Sequence, residues 1–207
     1  MTLRIKSRRR MALSWPAALA CLMLAGCGAL RAVTEKGMVR LSPSAEAVSM
    51  RVDVGTPMID VAIPARNVAG PMARISLRSD VSEWRSTDGI GLTLQDGQII
   101  ATRGFGADLL IADAQGAASA LRHGGGEFSR TMHWLDGENH DQTEVFVCTM
   151  RAAKNQTKPK VSTFSETCIG SQTRFSNTYV MSPNTGGLIR SDQWVSSGLG
   201  HIQIEPH

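Results

Sequence analysis

Apolar and polar side chains alternate with a period of two along much of the chain after residue 47, and this pattern restricts the fold most strongly. Val48, Met50, Val52 and Val54 are apolar, with polar side chains between them. Successive side chains of a strand point to opposite faces of a sheet, so this alternation is typical of a half-buried strand. It predicts that the folded domain begins with a strand at residue 48.

Two further alternating stretches follow. The first, at residues 59–63, ends at Pro64, which cannot continue a strand ladder. The second lies at residues 73–77, where the pattern places Ile75 and Leu77 in the core and the polar side chains between them in water.

Nine more short stretches have the composition of strands, and several are separated by turn dipeptides such as Asp88-Gly89, Asp96-Gly97 and Asp136-Gly137. They lie at 81–86, 90–94, 99–103, 127–134, 143–150, 161–169, 174–181, 188–195 and 201–205. Short strands at this spacing predict an all-β fold, an antiparallel meander forming a sandwich or partly closed barrel. One or two short helices complete the prediction. The best helical stretch is 107–122, where Asp108 or Asp113 could cap the helix and Gly116 weakens it.

The first 26 residues have the layout of a lipoprotein signal peptide. Five basic residues and no acidic residue precede an apolar run of roughly fourteen residues, which is shorter than the roughly 20 that a membrane-spanning helix needs. The run ends in Leu24-Ala25-Gly26-Cys27, which resembles the lipobox of bacterial lipoproteins. The resemblance implies that signal peptidase II cuts before Cys27 and that the Cys27 thiol is lipidated. The alternative is an ordinary signal peptide followed by an unmodified cysteine.

Three segments follow from this interpretation: a signal peptide at 1–26, a lipidated N-terminus and tether at 27–47, and a single β-rich periplasmic domain at 48–207. Gly28 follows the lipidated cysteine, and by the enterobacterial sorting rule it implies the outer membrane, since an aspartate there would retain the protein at the inner membrane. Two or three acyl chains anchor a protein stably, whereas one chain binds only marginally.

The charge balance of the mature chain gives no reason to expect nucleic acid binding. The sequence has 22 basic and 18 acidic side chains, but five basic ones lie in the signal peptide. The remainder has 17 basic and 18 acidic side chains, so no basic face is indicated.

Cys148 and Cys168 are the two cysteines that remain after the signal peptide and Cys27. In an oxidising compartment such a pair is more typical of a disulfide than of a metal site. A hairpin centred near Lys158 would place them opposite each other on neighbouring strands. The alternative is two buried free thiols.

The sequence predicts no enzyme, no metal site and no cofactor. It contains no Gly-x-Ser-x-Gly elbow, and its histidines lack the spacing of metal ligands. One polar loop, with Asp136, Glu138, His140 and Asp141, could bind a metal weakly, although a solvated hairpin tip is the favoured interpretation.

Three segments carry a resemblance to a known family: WRSTDG at 84–89, DGQIIATRGF at 96–105, and NTY at 177–179 followed by GLIRSDQW at 187–194. Together they resemble the YjbF/GfcB family of outer-membrane lipoproteins, which is associated with exopolysaccharide and group 4 capsule loci. The resemblance implies a lipidated, β-rich periplasmic protein without established catalytic activity. Its expected partners are polysaccharide-secretion proteins, or the glycan itself.

The resulting hypothesis is a non-enzymatic accessory factor in exopolysaccharide or capsule secretion or assembly. The alternatives are a polysaccharide- or cell-wall-modifying enzyme and a carrier of lipids or lipoproteins, which would need a wide apolar concavity. Trp134, Tyr179 and Trp194 are candidate contacts for a glycan or a partner protein, with core packing as the other interpretation of each.

Overall fold

Twelve antiparallel strands form one continuous sheet in the computed structural model, which describes residues 55–135, 140–153 and 161–207. The predicted signal peptide, the tether, Cys27 and the first strand at 48–54 lie outside the described residues, as do Asp136 and Glu138. The strands are β1 (Met58–Ile63), β2 (Val68–Arg78), β3 (Val81–Arg85), β4 (Gly91–Gln95), β5 (Gln98–Arg103), β6 (Leu109–Ala112), β7 (Gly125–Leu135), β8 (Asp141–Ala152), β9 (Ser162–Ile169), β10 (Arg174–Met181), β11 (Leu188–Ser196) and β12 (Gly200–Pro206).

The strand order is that of a meander bent round on itself. It runs β5-β4-β3-β2-β1-β12-β11-β10-β9-β8-β7-β6, so the pairing of β1 with β12 is the one ladder here between strands that are not consecutive in sequence. The two edges of the sheet, β5 and β6, are consecutive in the chain. The predicted all-β meander is therefore confirmed, and it takes the form of a nearly closed barrel rather than a sandwich.

Side-chain contacts, rather than a strand ladder, join the edges β5 and β6. The Thr102 hydroxyl donates to Asp108 Oδ1 and accepts from the Leu109 N–H, both at 2.9 Å. Beyond the two strands, Arg122 of the helix that follows β6 forms an ion pair with Asp96 in the turn before β5, at 3.1 Å. The barrel is thus open in its backbone hydrogen bonding and bridged by side chains.

Alternate residues of the strands fill the barrel with packed side chains, because a strand directs every second residue inward. Many of these are fully or almost fully buried: Ile59, Val61, Leu92, Ile99, Met132, Phe146, Val195, Ile202 and Ile204. A second, smaller apolar cluster lies between Phe164, Tyr179 and the α-helix α1 (Gln115–His123). This helix and one 3-10 turn (Pro64–Arg66) agree with the expected one or two short helices.

The helix predicted at 107–122 is too long at its N-terminal end. Residues 109–112 form β6, and α1 begins only at Gln115, where the Asp113 carboxylate accepts a hydrogen bond from the Gln115 N–H at 2.9 Å. Gly116 lies within the helix because Phe128 occupies the place of a side chain: an added Cβ would lie 2.6 Å from the Phe128 ring. The packing therefore favours a residue that intrinsic helix propensity disfavours.

The predicted inward positions of Ile75 and Leu77 are wrong. Both side chains are exposed, at 42% and 55% of their full accessibility. The register of β2 against β3 shifts between Arg74 and Ser76. Before this shift the core face of β2 already carries Met72, which pairs with the buried Ile59 of β1, so Ile75 lies on the opposite face.

The structure joins Cys148 of β8 to Cys168 of β9 in a disulfide, as the sequence predicted. The two residues are direct partners in the antiparallel register, with a Cα–Cα distance of 4.0 Å, and both are fully buried. The bond therefore crosses neighbouring strands inside the barrel.

Candidate functional site

A pocket of about 300 Å³ lies at one end of the barrel, where five segments converge. These are the loop from β5 to β6, the end of β7, the start of β8, and the turns from β9 to β10 and from β11 to β12. We call it the mouth pocket. It is lined by Ala107, Asp108, Trp134, Leu135, Gln142, Thr143, Glu144, Ser171, Gln172, Thr173, Trp194, Ser196, Ser197 and Gly198.

Two tryptophans form the aromatic part of the mouth pocket. Trp134 and Trp194 are partly buried, with ring centroids 5.7 Å apart and an interplanar angle of 76°. Trp194 is stacked on Phe175 at 4.6 Å, and the Trp134 indole N–H donates to the Val195 carbonyl at 2.8 Å. Phe146 packs edge-on against Phe175 at 5.0 Å. Contacts with neighbouring side chains and backbone therefore already hold both indoles in place. This favours ligand binding, because binding then costs little further side-chain entropy.

Glu144 of β8 fixes the turn that forms one wall of the mouth pocket. Its Oε1 accepts the backbone N–H groups of Gln172 at 2.8 Å and Thr173 at 3.1 Å, and the Ser171 hydroxyl at 3.4 Å. Partial burial alone would raise the pKa of Glu144, but these hydrogen bonds to the charged form outweigh it and lower the pKa below its usual value. Glu144 is thus a carboxylate near neutral pH.

Asp108 fixes the opposite wall in a similar way. Its Oδ1 accepts the Thr102 hydroxyl and the Phe105 N–H, at 2.9 and 3.1 Å, while Oδ2 accepts the Gly104 N–H at 2.9 Å. The sequence offered this aspartate as a helix cap, but it stabilises the loop between β5 and β6 instead. Asp108 and Glu144 are the charged residues of the lining, which contains no lysine, arginine or histidine among the described residues.

Of the three aromatic residues predicted as contacts, the structure brings Trp134 and Trp194 together and separates them from Tyr179. Tyr179 follows its other interpretation, core packing, because its side chain is fully buried in the cluster under α1. Burial and the neighbouring Glu166 carboxyl raise the pKa of Tyr179 well above its usual value of 10. The phenol therefore stays protonated and acts as a buried hydrogen-bond donor.

Tyr179 belongs to a polar group inside the barrel that the sequence analysis missed. Its hydroxyl lies 2.7 Å from Glu166 Oε2 and 2.8 Å from Gln98 Oε1, and its one proton can serve either oxygen. Arg130 contacts the same two residues, at 3.0 Å to Gln98 and 3.5 Å to Glu166, and Asn177 donates to Glu166 at 2.7 Å. All five residues are at most 2% exposed.

A signal for this group is present in the sequence. Arg130 stands between Phe128 and Met132, and Glu166 between Phe164 and Cys168, so each occupies an inward position of its strand. Although burial lowers the pKa of an arginine, the negative charge of Glu166 and the interaction with Tyr179 outweigh it, and the pKa of Arg130 is raised. The group therefore contains a buried ion pair between Arg130 of β7 and Glu166 of β9, away from solvent.

Two other clusters bear on the metal predictions. Next to the polar loop, His133 of β7 has its Nδ1 3.6 Å from Asp141 Oδ1 and 2.8 Å from the Thr143 hydroxyl. The rest of that loop includes Asp136 and Glu138, so weak metal binding there stays a hypothesis. Cys148, Cys168 and Glu166 also lie close together, but both sulfurs belong to the disulfide and offer no thiolate.

Comparisons with known proteins agree with the fold. A family model described as "Group 4 capsule polysaccharide lipoprotein gfcB, YjbF" matches residues 38–206. The crystal structure of the hypothetical lipoprotein YmcC from Escherichia coli (K12) is similar, with a TM-score of 0.64 and 17% identity. The similarity covers 74% of this chain and 84% of that one. No curated protein matches the chain. Among the described residues, no helix is long and apolar enough to cross a membrane.

Proposed function

Because this chain belongs to the family of group 4 capsule polysaccharide lipoproteins, we propose that it is a non-enzymatic accessory factor in capsule or exopolysaccharide secretion or assembly. The match of the family model over residues 38–206 carries the proposal. In this proposal Cys27 bears the lipid, the anchor lies in the outer membrane, and the β-rich domain faces the periplasm. The domain acts by binding polysaccharide-secretion proteins or the glycan.

A lipid anchor strengthens the binding of such a protein to its partner without adding any contact between the two. Confining a binding domain to the membrane that holds its partner raises the effective concentration of one near the other. Dual or triple acylation makes that confinement stable. An accessory factor can therefore work with a weak binding site, provided that the anchor is intact.

The state of the pocket carboxylates supports binding over acid–base catalysis. A general acid that works near neutral pH needs a raised pKa, whereas hydrogen bonds lower the pKa of Glu144. Asp108 is likewise occupied by three donors from its own loop and strand. Both side chains hold the walls of the mouth pocket in place.

The packed interior of the barrel disfavours the carrier alternative. Large side chains such as Phe146, Leu92 and Ile202 are fully buried, and the group formed by Arg130 and Glu166 adds charge to the interior. An acyl chain bound inside would have to displace these side chains and pass a charged pair, which is costly in free energy.

Gene deletion and complementation test the proposed role. Deletion is expected to reduce exported polysaccharide or to change its retention at the cell surface. The wild-type gene should restore it, and Cys27→Ala should not, because the domain is then no longer anchored. Mass spectrometry of the membrane-extracted protein should find acyl groups on Cys27. Unchanged polysaccharide in the deletion strain would contradict the proposal.

Incubation of the purified protein with the exported polysaccharide distinguishes binding from catalysis. The expected result is an unchanged chain length and composition of the polysaccharide after prolonged incubation. Release of shorter or modified chains, lost in a variant that still folds and anchors, would establish an enzyme instead.

A further inference from the structure

We propose that the mouth pocket binds a neutral sugar residue of the exported polysaccharide. This inference rests on the proposed function, in which the domain binds either secretion proteins or the glycan. It names the class of sugar that the second kind of binding would involve. It follows from three properties of the pocket: its aromatic surface, its uncharged polar groups and the sign of its charge.

The aromatic surface suits a sugar ring. Trp134 and Trp194 both line the pocket and are fixed, one by its hydrogen bond to Val195 and the other by stacking on Phe175. The C–H bonds of a pyranose ring carry partial positive charge, and the π-face of an indole is negative, so the two attract each other. Fixed indoles make this attraction available without a large loss of side-chain entropy.

The polar lining matches the hydroxyl groups of a sugar. Gln172 and Ser197 contribute an amide and a hydroxyl group, and these can donate as well as accept hydrogen bonds. A pocket of about 300 Å³ is at the low end of the roughly 300–1,000 Å³ typical of small-molecule sites. The pocket is therefore large enough for one sugar unit or one end of a polysaccharide chain, and too small for a long stretch of it.

The charge of the lining determines which sugars fit. Asp108 and Glu144 are acidic, and the lining holds no cationic side chain among the described residues. A uronic acid or a phosphate-bearing sugar would meet two like charges and no counter-charge, which costs free energy where solvent is partly excluded. A neutral sugar meets no such penalty, because its hydroxyls can donate to carboxylates.

Binding is tested with the mature protein and two sets of probes of equal length. The neutral probes are hexamers of glucose, galactose and mannose, and the acidic probe is a hexamer of galacturonic acid. We expect at least one neutral hexamer to bind at least tenfold more tightly than the acidic one. Its binding should shift the indole N–H resonances of Trp134 and Trp194 in NMR spectra, while the resonance of Trp84, buried on β3, stays in place.

Two variants and a matched control locate the site. Ser197 is exposed at the mouth pocket, so Ser197→Trp should fill it and weaken binding at least tenfold. Ser165 is exposed on β9 and lies outside the pocket, so Ser165→Trp should bind as the wild type does. Glu144→Gln removes one negative charge and should reduce the difference in affinity between the neutral hexamers and the acidic one.

The inference is overturned if no neutral hexamer binds, if the acidic hexamer binds more tightly, or if Ser197→Trp binds normally. Its failure is distinguishable from failure of the proposed function. If deletion reduces polysaccharide export and Ser197→Trp restores it fully, the pocket is not the site and the accessory role stands. If the hexamers bind as expected but deletion leaves export unchanged, the accessory role fails.

Discussion

At the scale of single residues, Gly170 is where one added methyl group would disturb the mouth pocket most directly. A Cβ there would lie 2.2 Å from Glu144 Oε1 and 2.8 Å from Phe146 Cε1. Distances under 3 Å require a neighbour to shift, and both neighbours are held, Glu144 by the turn and Phe146 by the aromatic cluster. Glycine is therefore needed at this position for space.

Gly170→Ala should lower the free energy of unfolding by about 1–3 kcal/mol, the usual cost of overpacking. Gly70→Ala is a matched control, since a Cβ at Gly70 meets nothing within 4 Å. Urea unfolding of the two variants and the wild type measures the difference. Equal stabilities of the two variants would show that the turn moves away freely.

Glu144 should make stability depend on pH in the acidic range. Its pKa is lower in the folded protein than the ordinary value of 4.5, so the folded state favours the charged form. That contribution is fully present above about pH 4.5 and is lost as pH falls through the folded pKa. The stability advantage of the wild type over Glu144→Gln should therefore shrink as pH falls below 4.5, measured by urea unfolding at a series of pH values. If the stability difference between the wild type and Glu144→Gln instead grew as the pH fell, the predicted direction of the pKa shift would be contradicted.

Individual roles were predictable where two independent signals coincided. Cys148 and Cys168 combined a predicted oxidising compartment with symmetric spacing about a turn. Tyr179 offered only its residue type, which suits a surface contact and a buried donor equally well. The position of Tyr179 depends on Glu166 and Gln98, which are distant in sequence and become neighbours only in the folded barrel.

At the scale of secondary structure elements, the disulfide links β8 to β9 across their register. Removing it with the double variant Cys148→Ala, Cys168→Ala should lower the free energy of unfolding by about 3 kcal/mol, as expected for closing a loop of about twenty residues on the chain-entropy model. The denatured, unreduced wild type should resist thiol alkylation at both positions. Labelling of both cysteines without reduction would mean that the bond does not form in the protein as isolated.

Strands bounded by turn dipeptides were predicted almost to the residue, and the errors occur where local rules compete. Asp96 and Gly97 both have positive φ, 49° and 78°, as a two-residue hairpin turn requires, so β4 and β5 lie where expected. The bulge in β2 and the short strand β6 leave no comparable local signal. In β6, Leu109, Ile111 and Ala112 pair with β7, and this tertiary contact overrides a helix-like composition.

At the scale of the whole molecule, the buried group around Arg130 and Glu166 connects β7, β9 and β10 to β5 across the interior. Arg130→Met alone should lower the free energy of unfolding by about 3–5 kcal/mol, because it leaves the Glu166 carboxylate buried without its cation. The double variant Arg130→Met, Glu166→Gln removes both charges, so its free energy of unfolding should fall by less than that of Arg130→Met alone. Chemical denaturation of both variants decides, and a double variant no more stable than the single would argue against charge pairing.

Strand order was the property of the whole molecule that the sequence did not reveal. Consecutive strands pair in most β proteins, and that rule is sufficient for β1 to β5 and for β6 to β12. The choice between a sandwich and a barrel depended on a single ladder, in which Ile59 is opposite Pro206 and Val61 is opposite Ile204. No turn or spacing links those residues, so only the folded structure fixes their pairing.

The ladder between β1 and β12 also has a consequence for the order of folding. Every other ladder among the described strands joins neighbours in sequence, whereas this one must bring together the first and the last described strands. Contacts at large sequence separation slow folding, because the entropy of loop closure is lost before they form. A circular permutant that links His207 to the residues before Met58, and opens the chain between Gly104 and Asp108, would make this pairing local. It should therefore fold faster than the natural chain.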